Sequence, residues 1–177
     1  SSVGEIDDGL FQEIEADNKI IVKDLTLSPM RISHDAAEPV AYRISHGRQK
    51  LGIITDLGCY NDYTVECLRG MNALLIEANH DANMLQVGPY PYYLKKRIAG
   101  DRGHLSNELS GQLLCRLLND GMQTIVLGHL SKENNLPELA YETVRVEIAM
   151  ADNEYKANDF PIRVANRSEV SEIIEIA

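Results

Sequence analysis

Three cysteines, Cys59, Cys67 and Cys115, are too few and too scattered for a disulfide framework, and no Cys-x-x-Cys pair offers thiolates to zinc. A reducing cytosol suits them. Positive charge is also scarce: 17 lysines and arginines stand against 27 aspartates and glutamates in 177 residues, a formal net charge of −10. No global basic field draws nucleic acid or an anionic membrane to such a chain, so polyanion binding has to be local. No apolar run approaches the ~18 residues of a membrane span, and the polar, acidic N-terminal stretch is unlike a signal peptide. Repeats and low-complexity tracts are missing too. What remains is a length suited to one well-buried domain over residues 1–177.

The clearest positive signal is Leu51 to Gly58, a run of apolar and β-branched residues that stops on Asp56. Such a run is a strand buried on both faces, and an acid at its C-terminal edge stands on the rim where α/β proteins hold ligands. Capping of the following turn is the competing reading of Asp56. Upstream, a short helix is expected over Gly9 to Ala16. Strand-like alternation follows from Ile20 to Val22 and through Leu25, Leu27, Met30 and Ile32, ending at His34. Val40 to Asp56 reads as a β-hairpin around His46-Gly47-Arg48-Gln49.

Downstream, strands are expected at Ala73–Glu77, Thr124–Leu127 and Phe160–Ala165. Helices are expected after Asn61 or Asp62, over Pro91–Ala99, after Ser106 or Asn107, and over Leu136–Met150. The third of these carries the stripe Leu109, Leu113, Leu114, Leu117 and Leu118. The tail from Ser168 is compatible with strand or helix. Strand and helix alternate from Asp56 onward, which is an α/β layer.

His34, Asp56 and His129 each close a different expected strand. Imidazole and carboxylate are ligands of zinc, manganese and iron, and a carboxylate with two oxygens can bridge two ions. Spacing alone leaves ordinary loop histidines an equal alternative. Lys95, Lys96, Arg97 and Arg102 cluster near Tyr90, Tyr92 and Tyr93. That stretch is either a surface for phosphates and stacked bases or a solvated helix face over packed tyrosines. Ser131, Lys132 and Asn134, just after His129, are candidates for phosphate oxygens or for loop capping.

Five stretches together resemble the metallo-β-lactamase-fold hydrolases: Ser33-His34-Asp35-Ala36-Ala37-Glu38-Pro39, Thr55-Asp56-Leu57-Gly58, Glu77-Ala78-Asn79-His80-Asp81, Gly103-His104-Leu105-Ser106-Asn107-Glu108 and Gly128-His129-Leu130-Ser131-Lys132. Within them they are most similar to the bacterial YycJ/WalJ-type proteins, relatives of ribonuclease Z and ribonuclease J. The resemblance implies the C-terminal part of an αββα sandwich, a mixed sheet with helices on one face. It implies two divalent metals, zinc or manganese, with His34 and His129 each holding one and Asp56 bridging them. His104 stands where the nuclease relatives protonate the leaving oxygen, and Glu77 would orient or tune it. His80, Ser106 and Asn107 join Ser131, Lys132, Asn134, Lys95 and Arg102 as substrate-contact candidates.

The family's His-x-His-x-Asp-His motif is absent, and none of the five histidines has that spacing. A two-metal site is therefore expected to be completed by an N-terminal half not contained in this chain. The function implied is that of a cytoplasmic metal-dependent phosphodiester hydrolase, a DNA exonuclease, with nucleic acid as substrate and no membrane partner. Two alternatives stand beside it: a non-catalytic half-domain that associates with its missing piece or with itself, and a small-molecule esterase or lactonase.

Overall fold

In the computed structural model, which describes residue 4 and residues 7–177, seven strands among the described residues form one sheet in chain order. β1 (Ile20–Val22), β2 (Leu25–Arg31), β3 (Val40–His46) and β4 (Gln49–Ile54) are antiparallel to one another. β5 (Ala73–Glu77), β6 (Thr124–Gly128) and β7 (Ile162–Val164) continue from β4 in parallel. Tight turns join β1 to β2 and β3 to β4, the latter made by Gly47 at φ 57°, while a longer loop, 32–39, joins β2 to β3. Parallel strands need crossovers. α1 (Asp62–Leu68) supplies the first, α2 (Ala82–Val87), α3 (Tyr92–Ile98) and α4 (Asn107–Leu117) the second, and α5 (Pro137–Met150) the third.

Helices α1, α4 and α5 start where the sequence marks a start. The Asn61 side chain accepts from Thr64 N at 3.1 Å to open α1, and Ser106 Oγ accepts from Leu109 N at 3.3 Å to open α4. Pro137 begins α5, whose Ala140, Val144 and Ile148 are fully buried at helical spacing. These meet Leu113 and Leu114 of α4 and the sheet residues Ile54, Leu74, Ile76, Ile125 and Leu127, every one at 1% exposure or less. Where α4 crosses α5, a Cβ on Gly111 would stand 2.5 Å from Glu147 Cβ, so only glycine allows this approach.

Among the described residues, the opposite face of the sheet has no such cover. Tyr42, Ile53, Leu75 and Val126 are register partners across four strands, with Ile44 and Leu51 paired beside them. All six are only half-buried and stand apart from the main core.

The architecture is α/β, a mixed sheet with helices on one face, as expected. The helix expected over Gly9 to Ala16 is not formed: a 3-10 turn at Asp8–Leu10 gives way to irregular chain. Leu10 and Phe11 are 78% and 64% exposed, so that segment has no face to bury and no tertiary reason to stay helical. The last strand is shorter than Phe160–Ala165, and no regular element follows from Ser168, although the Gln123 amide pairs with the Ala177 backbone at 2.7 and 2.8 Å. α2, six residues capped by Asp81, is too short for periodicity to reveal.

Candidate active site

Parallel strands β4, β5 and β6 end side by side, and their ends carry the chemistry. Asp56 stands two residues past β4, Glu77 is the last residue of β5, and His129 follows β6 directly. Asp56 and His129 both take left-handed backbone, at φ 59° and 56°. Asp and His tolerate that region better than most residues, and strain of this kind collects at functional rims. His34 comes from the loop after β2 and His104 from the loop before α4. The loops are locked together: Gly58 N donates to Ser33 O at 2.8 Å, and Ser33 Oγ to Asp101 O at 2.6 Å. A Cβ on Gly58 would fall 2.3 Å from Asp101 O, so only glycine lets these strands of chain meet.

Glu77 is fully buried and gathers four donors. Its Oε2 accepts from Asp56 N at 2.9 Å and faces His104 Nδ1 at 3.1 Å, while Oε1 accepts from Leu57 N at 3.0 Å and Leu105 N at 2.7 Å. One carboxylate thus holds the turn after β4, the loop before α4 and an imidazole. Its ligand oxygen lies within 4.8 Å of those of Asp56, His104 and His129, but its lone pairs are already engaged by the protein.

Asp56 differs. Its Oδ1 faces His129 Nε2 at 3.4 Å, His34 Nε2 at 3.7 Å and His104 Nδ1 at 3.7 Å, all longer than a hydrogen bond. Ligand atoms about 2.0–2.1 Å from a tetrahedral zinc stand roughly 3.3 Å apart, so the Asp56–His129 spacing suits a cation shared by the two, while the mutually close group of Asp56, Glu77, His104 and His129 does not include His34. His34 Nδ1 lies 3.0 Å from Gly103 O, which fixes its proton there and leaves the Nε2 lone pair toward Asp56. His104 is turned the other way: Nδ1 serves Glu77 and Nε2 is left over. Burial disfavours the charged His104 ring, yet the bond to Glu77 and the charges of Glu77, Asp56 and Asp35 outweigh it and raise its pKa. The rings of His34, His104 and His129 form a row, with centroids 5.1 and 5.2 Å apart.

The structure does not bring all the substrate-contact candidates to the surface. Asn107 is fully buried and exchanges amide bonds of 3.0 and 2.8 Å with Asn135. Asn134 is equally buried, with Nδ2 on Ser131 Oγ at 3.3 Å, and Ser106 is occupied as the α4 cap. His80 is 3% exposed, and burial, then the His104 charge, push its pKa down to about 4. Asn107, Asn134 and Ser106 hold loops together beneath the rim, whereas the His80 ring lies there with its Nδ1 unpartnered among the described residues. Lys95 Nζ donates to Gln86 O at 2.7 Å, and Arg102 Nε to His34 O at 3.2 Å, so Arg102 supports the His34 loop from an exposed position. Ser131 and Lys132 line a cavity of about 470 Å³ that opens at His129 and runs to Arg167. A second, of about 270 Å³, lies between His34, His104, Tyr90 and Arg97.

Three positioning contacts escaped sequence reasoning. Asn79 Nδ2 donates to His129 O at 2.8 Å, Arg97 pairs with Asp35, and Arg167 donates to Leu130 O. The Arg97 bond holds the Asp35 carboxyl below its usual range. No motif signals any of them, because each joins segments far apart in the chain.

No protein-family model matches the chain. It is 37% identical over 150 residues to exodeoxyribonuclease WalJ of Streptococcus pneumoniae, covering 85% of this chain and 56% of that protein. To exodeoxyribonuclease YycJ of Bacillus anthracis it is 40% identical over 121 residues, 68% of this chain and 46% of that protein. The chain spans about half the length of these relatives. Among solved structures, the metallo-β-lactamase-fold protein YhfI from Bacillus subtilis superposes with a TM-score of 0.60 at 14% identity, over 86% of this chain and 51% of that one. Zn²⁺-bound PqqB from Methylobacterium extorquens gives 0.55 at 18%, over 85% and 49%. Those two likenesses are of fold. No helix among the described residues is long and apolar enough to cross a membrane.

Proposed function

We propose, from the premise that the chain is a metallo-β-lactamase-fold homologue of WalJ and YycJ, that it is the portion of a metal-dependent DNA exonuclease that carries His34, Asp56 and His129 as ligands of a divalent metal centre. The observation that carries this reading is Asp56 Oδ1 standing 3.4 Å from His129 Nε2 and 3.7 Å from His34 Nε2, too far to bond either and suitably spaced to share a cation with each, as a carboxylate between two ions requires. Nitrogen and oxygen donors suit zinc or manganese, and two ions are proposed in the intact enzyme. When bound, the ions supply an activated water and positive charge for the phosphoryl oxygens.

The chain's own residues supply the rest. His104, with Nδ1 on Glu77, offers Nε2 to the departing oxygen and gives up its proton there. Glu77 keeps the ring oriented and favours its charged form. Arg102 steadies the backbone at His34, and Lys132 and Ser131 stand beside His129 to meet phosphate oxygens.

The remaining ligands are proposed to come from an N-terminal half that lies against Tyr42, Ile53, Leu75 and Val126, since a contiguous apolar sheet face is rarely left bare. Without it, self-association through that face is the alternative. A cytoplasmic location fits the three free thiols. The test is cleavage of end-labelled DNA with manganese or zinc by the chain joined with that half. Release of mononucleotides that disappears in Asp56→Asn supports the reading. Hydrolysis of a small ester with DNA left whole contradicts it.

A further inference from the structure

The proposed reaction places Ser131 and Lys132 at phosphate oxygens but assigns no occupant to the cavity of about 470 Å³ that they line together with His129. Its two cations are Lys132, from the loop after β6, and Arg167, three residues beyond β7. Among the described residues neither pairs with a carboxylate, in a chain with ten more acidic than basic side chains. Arg167 is anchored by its bond to Leu130 O, which fixes the guanidinium at the cavity wall while other N–H groups stay available. Ser131 Oγ accepts from Asn134 N at 3.2 Å and Nδ2 at 3.3 Å, so its own O–H remains to be donated. Leu136, Pro137 and Ala165 give the wall an apolar stretch, beside the polar His129, Asn135 and Asn166.

Cations and a hydroxyl beside an apolar wall suit a ligand with an anionic end and a flat or apolar body. The volume is that of a site for a single small molecule, not for a length of strand. We infer that this cavity is the seat of one terminal nucleotide, its phosphate held by Lys132, Arg167 and the Ser131 hydroxyl, its sugar and base against Leu136, Pro137 and Ala165. The inference rests on the nuclease reading and adds to it a subsite for the nucleotide next to the bond that is cut. That subsite draws on the segment after β7, which the sequence motifs do not include.

The experiment is calorimetric titration of the chain with thymidine monophosphate, thymidine and inorganic phosphate, for wild type and for the double variant Lys132→Ala/Arg167→Ala. Both side chains are exposed, so folding is preserved, and circular dichroism verifies it. The nucleotide should bind at least about tenfold more tightly than either thymidine or phosphate alone, and the double variant should lose about tenfold or more of that affinity. Equal nucleotide binding by the double variant overturns the inference. So does phosphate binding as tightly as the nucleotide, since the cavity would then be an anion site without a place for the base. Metal retention is measured separately on the chain joined with its N-terminal half: metal held there with no part of the titration passed loses the subsite alone, and the titration passed with no metal held there loses the nuclease reading alone.

Discussion

Glu77 Oε2 lies 3.1 Å from His104 Nδ1 and, with Oε1, holds three backbone N–H groups as well. Removing a buried carboxylate that satisfies so many donors leaves them orphaned. Glu77→Ala is expected to lower stability by about 3–5 kcal/mol in urea titration, the scale seen when one partner of a buried polar pair is lost. Glu77→Gln keeps an acceptor in place, so it should lose clearly less. A Glu77→Ala protein as stable as wild type would remove its role as the tie between β4, β5 and α4.

Asp56 carries two separable burdens, a left-handed turn and a ligand oxygen. Asparagine keeps the first and weakens the second. Asp56→Asn should therefore leave the melting temperature close to wild type while metal retention is lost. Asp56→Ala should lose the metal and about 1 kcal/mol or more of stability, because alanine fits positive φ poorly. Parallel melting curves and metal analysis on the two variants check this.

His104→Ala should leave metal content unchanged in the intact enzyme and slow turnover by roughly 10²- to 10⁴-fold, the range of a lost general acid. Restored cleavage of a substrate whose leaving group needs no proton would mark the loss as one of protonation. Equal slowing on both substrates would assign His104 to binding instead.

His80 gives a pH prediction. Burial, with help from the His104 charge, holds its folded pKa at about 4 against 6.5 for the ordinary side chain. The unfolded chain therefore binds the proton more readily between those values, and stability falls as the pH drops through 6.5 toward 4. Between pH 7 and pH 4.5 this one group should cost about 2 kcal/mol. Replacing it in His80→Gln should flatten the pH dependence of denaturant unfolding by that amount, whereas an unchanged slope would show that His80 titrates normally in the folded protein.

The half-buried row Tyr42, Ile53, Leu75 and Val126 predicts association of the chain on its own. Light scattering should find dimers or larger species that Ile53→Lys disperses. A monodisperse wild-type monomer would contradict it.

The parallel core and its crossovers were legible because Leu51–Thr55, Ala73–Glu77 and Thr124–Leu127 are dense apolar runs, and because Ser106 and Pro137 mark helix starts chemically. The helix expected near Gly9 failed because Leu10 and Phe11 stay mostly exposed and give it no face to bury. At the site, His34, Asp56, His104 and His129 could be read from strand ends and motifs. Asn107 and Asn134 carry the same motifs yet pair inside the protein, and burial of an amide cannot be seen from its neighbours in sequence. Arg167 was invisible for the opposite reason: it lies in a stretch without pattern and reaches its cavity only through the pairing of β7 with β6.

The most direct test of the account is zinc and manganese content of the chain joined with its N-terminal half, of known mass and after dialysis, measured by elemental analysis beside Asp56→Asn. With that half supplying the ligands this chain lacks, the joined protein should retain about two ions, and its Asp56→Asn variant almost none. A joined wild-type protein without metal, or a variant that keeps as much, would contradict the proposed centre.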